Sequence, residues 1–237
     1  MKSLDYIPHL VRILPINILP LFGARQGTAI TKYSTAGIHL GACFVFLRLK
    51  LYISNMMKNI DVKEYEKKDS ILFNSHSKLN TKVLSNFYPC KIKYKGIVFN
   101  SSEQLYYWLL LEGNDLARVL ILDCEDARKV KVFGKKILKE MGWDKSNEDC
   151  QRAEVQALRV AIGAKMECCE EFRVLVMTSG SKKIVEYAWW GDDEWGCVDV
   201  DERYKYDWNN GVLRGQNVCG RLIMEWRKKW IAMADAA

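Results

Sequence analysis

Histidine is scarce in this chain: three in 237 residues, and after Met57 only His76. None of the eight cysteines (Cys43, Cys90, Cys124, Cys150, Cys168, Cys169, Cys197 and Cys219) is spaced as Cys-x-x-Cys, and Cys168 and Cys169 are adjacent. Metal-ligand spacing is therefore absent, and the cysteines read as small, packed free thiols of a reducing compartment. No metal and no redox cofactor is expected. Long apolar runs are missing too. Ile38–Phe46 is too short to span a bilayer, and Arg48 and Lys50 follow at once. No membrane is expected as a partner. Acid is nearly missing from the first quarter, where Asp5 is the only one before Asp61. Internal repeats and low-complexity tracts are also lacking.

What is present is the balance of an ordinary globular chain, 49% hydrophobic and 27% charged. The length suffices to bury a large core without disulfides. The net charge is +7, of which residues 1–56 carry +5, leaving +2 for the rest. The main body is thus nearly neutral and lacks the general basic surface of a non-specific nucleic-acid binder. Residues 1–56 form an atypical extension. A secretory signal is disfavoured by Asp5, Pro8, Pro15 and Pro20. Two readings stay open: an organellar transit peptide, or a translation start at Met56 or Met57. The cytoplasm is the expected location unless the leader is a genuine transit peptide. A polar lead-in, 57–70, precedes a domain over 71–232.

Within that domain, Ile71–Phe73 reads as a strand. Lys91–Tyr94 and Ile97–Phe99, joined through Lys95-Gly96, read as a hairpin. Ser101 with Gln104 three residues on is a capping-box pattern, so a helix is predicted to begin there and run to about Leu122. Further helices are predicted over Glu125–Met141, Glu148–Met166 and Glu170–Met177, the last stopping near Gly180. A strand follows over Lys182–Ala188. Trp189–Gly211, rich in Gly, Asp and Trp, reads as a long functional loop. A final helix is predicted from about Gln216 to Ala232. The fold class is α+β, one helix-rich domain with a small hairpin or sheet.

Several short elements agree in order and spacing with a known family. They are Ile71-Leu72-Phe73, Leu84-Ser85-Asn86-Phe87-Tyr88-Pro89, Gly96–Phe99 and Ser101-Ser102-Glu103-Gln104. Further on come Ile184-Val185-Glu186, an acid with Trp195-Gly196, and Gly215-Gln216-Asn217-Val218-Cys219-Gly220 with Met224 and Arg227. The chain from Ile71 to Trp230 resembles the NADAR, or YbiA-like, domain. That resemblance implies an N-glycosidase, hydrolysing C–N bonds between a phosphorylated ribose and a base or amine. The family is associated with phosphoribosylamino-pyrimidine intermediates of riboflavin synthesis and with ADP-ribose attached to guanine. The expected partner is a small phosphorylated ribosyl substrate, with ADP-ribosylated nucleic acid as the alternative. A catalytically silent module for ADP-ribose or a related nucleotide is the reading from a different class. The sequence carries no signal of oligomeric state.

Breaking an N-glycosidic bond builds positive charge at the anomeric carbon and negative charge on the leaving nitrogen. A carboxylate stabilises the first or activates water, and an acid protonates the second. Glu103 is the first candidate, on one helix face with Tyr106, Tyr107 and Leu110. Taken alone it is an ordinary first-turn glutamate; the resemblance gives it a catalytic role. Asp192 or Asp193 is the candidate second acid. Trp195 and Tyr107 would sandwich the base, and Asn86, Phe87 and Gly196 would line the same pocket. Arg214, with the amides near Asn217 at the last helix start, would hold phosphate. His76 reads as a loop histidine. One departure stands out. Where the family carries a lysine seven residues after the glutamate, this chain has Leu110, so a lysine-dependent route is closed unless another lysine, such as Lys165, reaches the pocket.

Overall fold

A computed structural model describes residues 62–77 and 80–236. The extension 1–56 and the first part of the lead-in lie outside the described residues. Seven short strands and six α-helices follow one another among the described residues. The strands are β1 (Lys63–Glu66), β2 (Ser70–Phe73), β3 (Ile92–Tyr94), β4 (Ile97–Phe99), β5 (Lys183–Glu186), β6 (Val198–Asp199) and β7 (Val212–Gly215). The helices are α1 (Ser102–Leu110), α2 (Asp115–Leu122), α3 (Ala127–Glu140), α4 (Glu148–Cys168), α5 (Glu170–Thr178) and α6 (Val218–Asp235). The class is α+β, as the sequence predicted. No helix among the described residues is long and apolar enough to cross a membrane.

The strands form three small sheets: β1-β7-β6, the parallel pair β2-β5, and the antiparallel hairpin β3-β4. The hairpin turns through Lys95 (φ 47°) and Gly96 (φ 81°). Positive φ at both central residues is the turn whose twist matches its strands. No strand is expected before Ile71 from the sequence. β1 was hidden because Tyr65 is its one buried residue, and its charged neighbours give no apolar alternation. β1 pairs with β7, while β6 and a 3-10 turn at Glu202–Tyr204 break up what read as one loop over 189–211.

Helix α4 is the axis of the domain, touching α1, α5, α6 and β3. Its Leu158, Ile162 and Met166 meet Phe73, Ile184, Leu222 and Ile223 in the main core. Each such side chain contributes roughly 1.5–3 kcal/mol on burial. A second core joins Tyr107, Leu110, Leu111, Ile121, Val130 and Leu138 from α1, α2 and α3. The helix predicted to reach Leu122 is in fact two. α1 stops at Leu110, Gly113 takes φ +87°, and the Asn114 side chain accepts the Ala117 amide to start α2. A glycine in the left-handed region followed by an Asn cap is a stop and a start, which the apolar run on either side obscured. The last helix starts at Val218 rather than Gln216, because Asn217 adopts a left-handed conformation (φ 50°), and it continues to Asp235.

Candidate active site

Helix α1 starts as the capping pattern requires. Ser101 Oγ accepts the Gln104 amide at 3.2 Å, and Gln104 Oε1 accepts the Asn100 amide at 2.6 Å. The Gln104 amide group also donates to the carbonyls of Ile121 (2.9 Å) and Cys124 (2.8 Å), tying α1 to the end of α2. These bonds fix the first turn, where Glu103 sits with 7% exposure. The Glu103 amide donates to Asn86 O (3.1 Å), and Ser102 Oγ to Asn86 Oδ1 (3.1 Å). The Ser85-Asn86-Phe87 turn is thereby clamped beside Glu103.

Both lie in a cleft of about 570 Å3. Its floor carries Glu103, Glu186 at the end of β5, and the Cys219 thiol at the start of α6. One side is aromatic, with Phe87, Tyr106, Tyr107, Trp143, Trp190 and Trp195. Tyr106 and Tyr107 meet edge-to-face at 4.9 Å, and Trp195 stands 6.4 Å from Tyr106. Tyr107 can lie flat on α3 only because residue 134 is glycine: a Cβ there would sit 2.1 Å from its ring. Basic side chains line the cleft as well, with Lys131 Nζ 5.2 Å from the centre of the Phe87 ring. Arg128, Lys131, Lys135 and Lys139 recur along α3 at intervals of three and four, with Lys145 beyond it. That spacing puts all four on one helix face.

The electrostatics follow from the burial. Desolvation pushes the Glu103 carboxyl up to about 7, against the pull of Lys131 and Lys135. Glu186 is likewise pushed up to about 7 by burial, and the nearby Asp192 and Glu103 charges add to the rise, while the Cys219 thiol hydrogen-bonded to it opposes. Lys135 is held below its ordinary value by partial burial and by Lys131 and Lys145. Burial thus raises both cleft carboxyls from the ordinary range toward neutrality.

Of the residues singled out in the sequence, Asn86, Phe87, Glu103, Tyr107, Asp192 and Trp195 meet in this cleft. Asp192 also closes its own loop, its Oδ1 accepting the Trp195 amide at 3.0 Å. Asp193 turns the other way, into a second cavity. Gly196 is buried against the Glu186 carbonyl, where a Cβ would come within 2.7 Å, and lines nothing. The phosphate cradle expected at Arg214 and Asn217 is not there. Arg214 is exposed on β7 outside the cleft, and the Asn217 side chain joins the Glu186 amide to the Ile184 carbonyl. The amides of Gln216, Asn217, Val218 and Cys219 donate to the carbonyls of Asp193, Gly196, Glu194 and Trp195. A helix start whose donors are already consumed has none left for an anion.

Lys165 does not replace the lysine absent at position 110. It is fully buried, donates to Ser85 O at 2.7 Å behind the clamped turn, and is lowered to about 8 by burial. Leu110 itself is packed into the α1–α2–α3 core. Glu186, Trp143 and the α3 cations are cleft residues that the sequence did not point to, and Tyr106 was expected only on the Glu103 helix face. The 3-4-4 spacing of Arg128, Lys131, Lys135 and Lys139 was the available signal for the basic wall. Among the described residues, no group of three or more His, Cys, Asp or Glu side chains could hold a metal ion.

Among solved structures, the NMR structure of E. coli YbiA is similar, with a TM-score of 0.52 and 22% identity over 70% of this chain and 88% of that one. At that identity the likeness concerns the fold. No curated protein sequence matches significantly. A family model for the NADAR domain matches residues 72–230. The cleft residues Ser75 to Cys219 all fall inside that span, and the chain belongs to the NADAR domain family.

Proposed function

We propose that this cleft hydrolyses the N-glycosidic bond between a phosphorylated ribose and a base or amine. The observation that carries the reading is the pair Glu103 and Glu186, both poised near neutrality in an aromatic cleft that faces a basic helix. The protonated member of the pair gives its proton to the leaving nitrogen. The ionised member stabilises the cationic anomeric carbon and takes a proton from the water that attacks it. The C–N bond breaks, a C–O bond forms, and the pair ends with the proton on the other carboxyl. Trp195 stacks on the departing base, with Tyr106 at its edge. Lys131 and Lys135 hold the phosphate from the α3 side, in place of Arg214 and Asn217. The route needs no lysine nucleophile, in keeping with Leu110.

Phosphoribosylamino-pyrimidine, of the kind met in riboflavin synthesis, is the substrate of this size and charge that family membership favours. A second reading, removal of ADP-ribose from guanine in nucleic acid, is favoured by the length of the basic wall. Arg128 to Lys139 spans roughly 16 Å at 1.5 Å per residue, long enough for more than one phosphate. The test is incubation of the full chain and its Glu103→Gln variant with phosphoribosylamino-pyrimidine and with ADP-ribosylated guanosine, following release of base and sugar. Turnover of either that vanishes in the variant supports the glycosidase and names its substrate. Binding of both without turnover of either replaces it with a catalytically silent nucleotide-binding module.

A further inference from the structure

The loop beyond Trp189 borders a second, open cavity of about 420 Å3, and Trp190 is a wall of both it and the cleft. Its other walls are Trp189, Val198 and Tyr206, with Asp193, Asp199, Glu202 and Lys205 at its polar edge. Trp189 meets Trp190 edge-on at 5.6 Å and Tyr206 at 5.3 Å with a 59° tilt. Trp190 and Tyr206 are nonetheless 45% and 61% exposed, so large ring faces are left open to a ligand.

The far wall is rigidly set. Tyr187 OH donates to Asp199 Oδ2 (2.6 Å) and accepts the Tyr206 amide (2.7 Å). Lys67 Nζ, buried beneath, pairs with Asp199 Oδ1 at 2.5 Å and donates to the carbonyls of Tyr204 (2.9 Å) and Asp207 (2.6 Å). Asp199 is thereby neutralised and belongs to the frame. Glu202 is offset by Lys205 at 3.2 Å, whereas Asp193 has no ion-pair partner among the described residues. The cavity is thus aromatic and slightly acidic. It repels a phosphate, and it presents ring faces together with carboxylate acceptors. A flat ring that carries N–H donors at its edge matches both.

We propose that this second cavity is a subsite for a nucleobase, or a similar planar nitrogen heterocycle, at the far end of a ligand whose ribosyl phosphate lies in the cleft. The linkage to the cleft rests on the ADP-ribose reading given under Proposed function; the base-binding cavity itself does not. The base stacks on the open face of Tyr206, edged by Trp189 and Trp190, and Asp193 and Glu202 accept its N–H groups. Consecutive acids thereby serve different cavities, Asp192 the cleft and Asp193 the subsite.

The test uses the full chain and two measurements. First, adenosine is titrated while the tryptophan indole N–H signals are followed by NMR. Saturable shifts at Trp189 and Trp190 are expected, lost in Trp189→Ala/Tyr206→Ala and in Asp193→Asn/Glu202→Gln but kept in Glu103→Gln. Shifts confined to Trp143 and Trp195, no shifts, or equal shifts with a trimethylammonium compound would overturn the subsite. Second, ADP-ribose and ribose 5-phosphate are compared by calorimetry. Stacking energies of single bases predict that Trp189→Ala/Tyr206→Ala weakens ADP-ribose about tenfold or more and ribose 5-phosphate less than twofold. An equal loss for both, or none for ADP-ribose, would overturn the linkage. A failed glycosidase assay leaves the adenosine titration standing, so the two readings fail separately.

Discussion

Replacing Glu103 by Gln should abolish turnover and yet stabilise the protein above neutral pH. An unfolded Glu ionises near 4.5, whereas folding raises Glu103 to about 7. Between those values the unfolded chain has released the proton that the folded chain still holds. Stability therefore falls as pH rises through that window, and the loss is complete above pH 7. The difference corresponds to about 3 kcal/mol at its largest. Gln fills nearly the same volume without the charge and removes that penalty, less whatever attraction Lys131 and Lys135 supplied. Urea unfolding of both proteins at pH 4 and pH 8 measures it. Near-equal stability at pH 4 and a gain of about 2–3 kcal/mol for the variant at pH 8 is expected, which is roughly 5–10 °C in Tm for a domain of this size. A variant less stable than the parent at pH 8, or a difference that does not change with pH, would refute the claim that Glu103 is held in a desolvated site.

Three further outcomes follow from the same geometry. Gly134→Ala drives a methyl into the Tyr107 ring, and should cost about 2 kcal/mol or more in thermal unfolding while raising KM. Lys131→Ala/Lys135→Ala should raise KM about tenfold or more, with a smaller change in kcat and a weaker salt dependence, whereas Arg214→Ala, outside the cleft, should change KM less than twofold in the same steady-state assay. Leu110→Lys places an ammonium in the α1–α2–α3 core and should lose about 3 kcal/mol or more by denaturation, with no cyanoborohydride-trapped adduct gained during turnover.

The parts of the fold that local chemistry dictates were legible in the sequence. The Lys95-Gly96 hairpin, the Ser101/Gln104 helix start and the four later helices all follow from turn residues, caps and apolar spacing. Glu103, Tyr107, Asn86, Phe87 and Trp195 were reached through the motifs and do share one cleft. What escaped was set by tertiary contact. β1 exists because β7 offers it a partner, and only Tyr65 betrays it. Glu186 was visible as part of Ile184-Val185-Glu186 but not as a cleft residue, because only the parallel β2-β5 pairing and the α6 start bring it opposite Glu103. The start of α6 looked like an anion cradle from its glycine and arginine. Its amides were already taken by the carbonyls of the tryptophan loop, a fact that no local pattern encodes. The α3 cations were dispersed in a sequence that is nearly neutral overall, and it is the helix that gathers them onto one face.

The most direct test of the central claim is the pH dependence of kcat/KM for base release by the parent chain and by Glu186→Gln. Two carboxyls raised toward neutrality, one needed protonated and the other ionised, predict a bell whose limbs fall on either side of about pH 7. The variant should lose one limb and about a hundredfold or more in rate. A flat profile between pH 5 and 9, or an unchanged bell in Glu186→Gln, would contradict the carboxyl pair as the acid and base of this cleft.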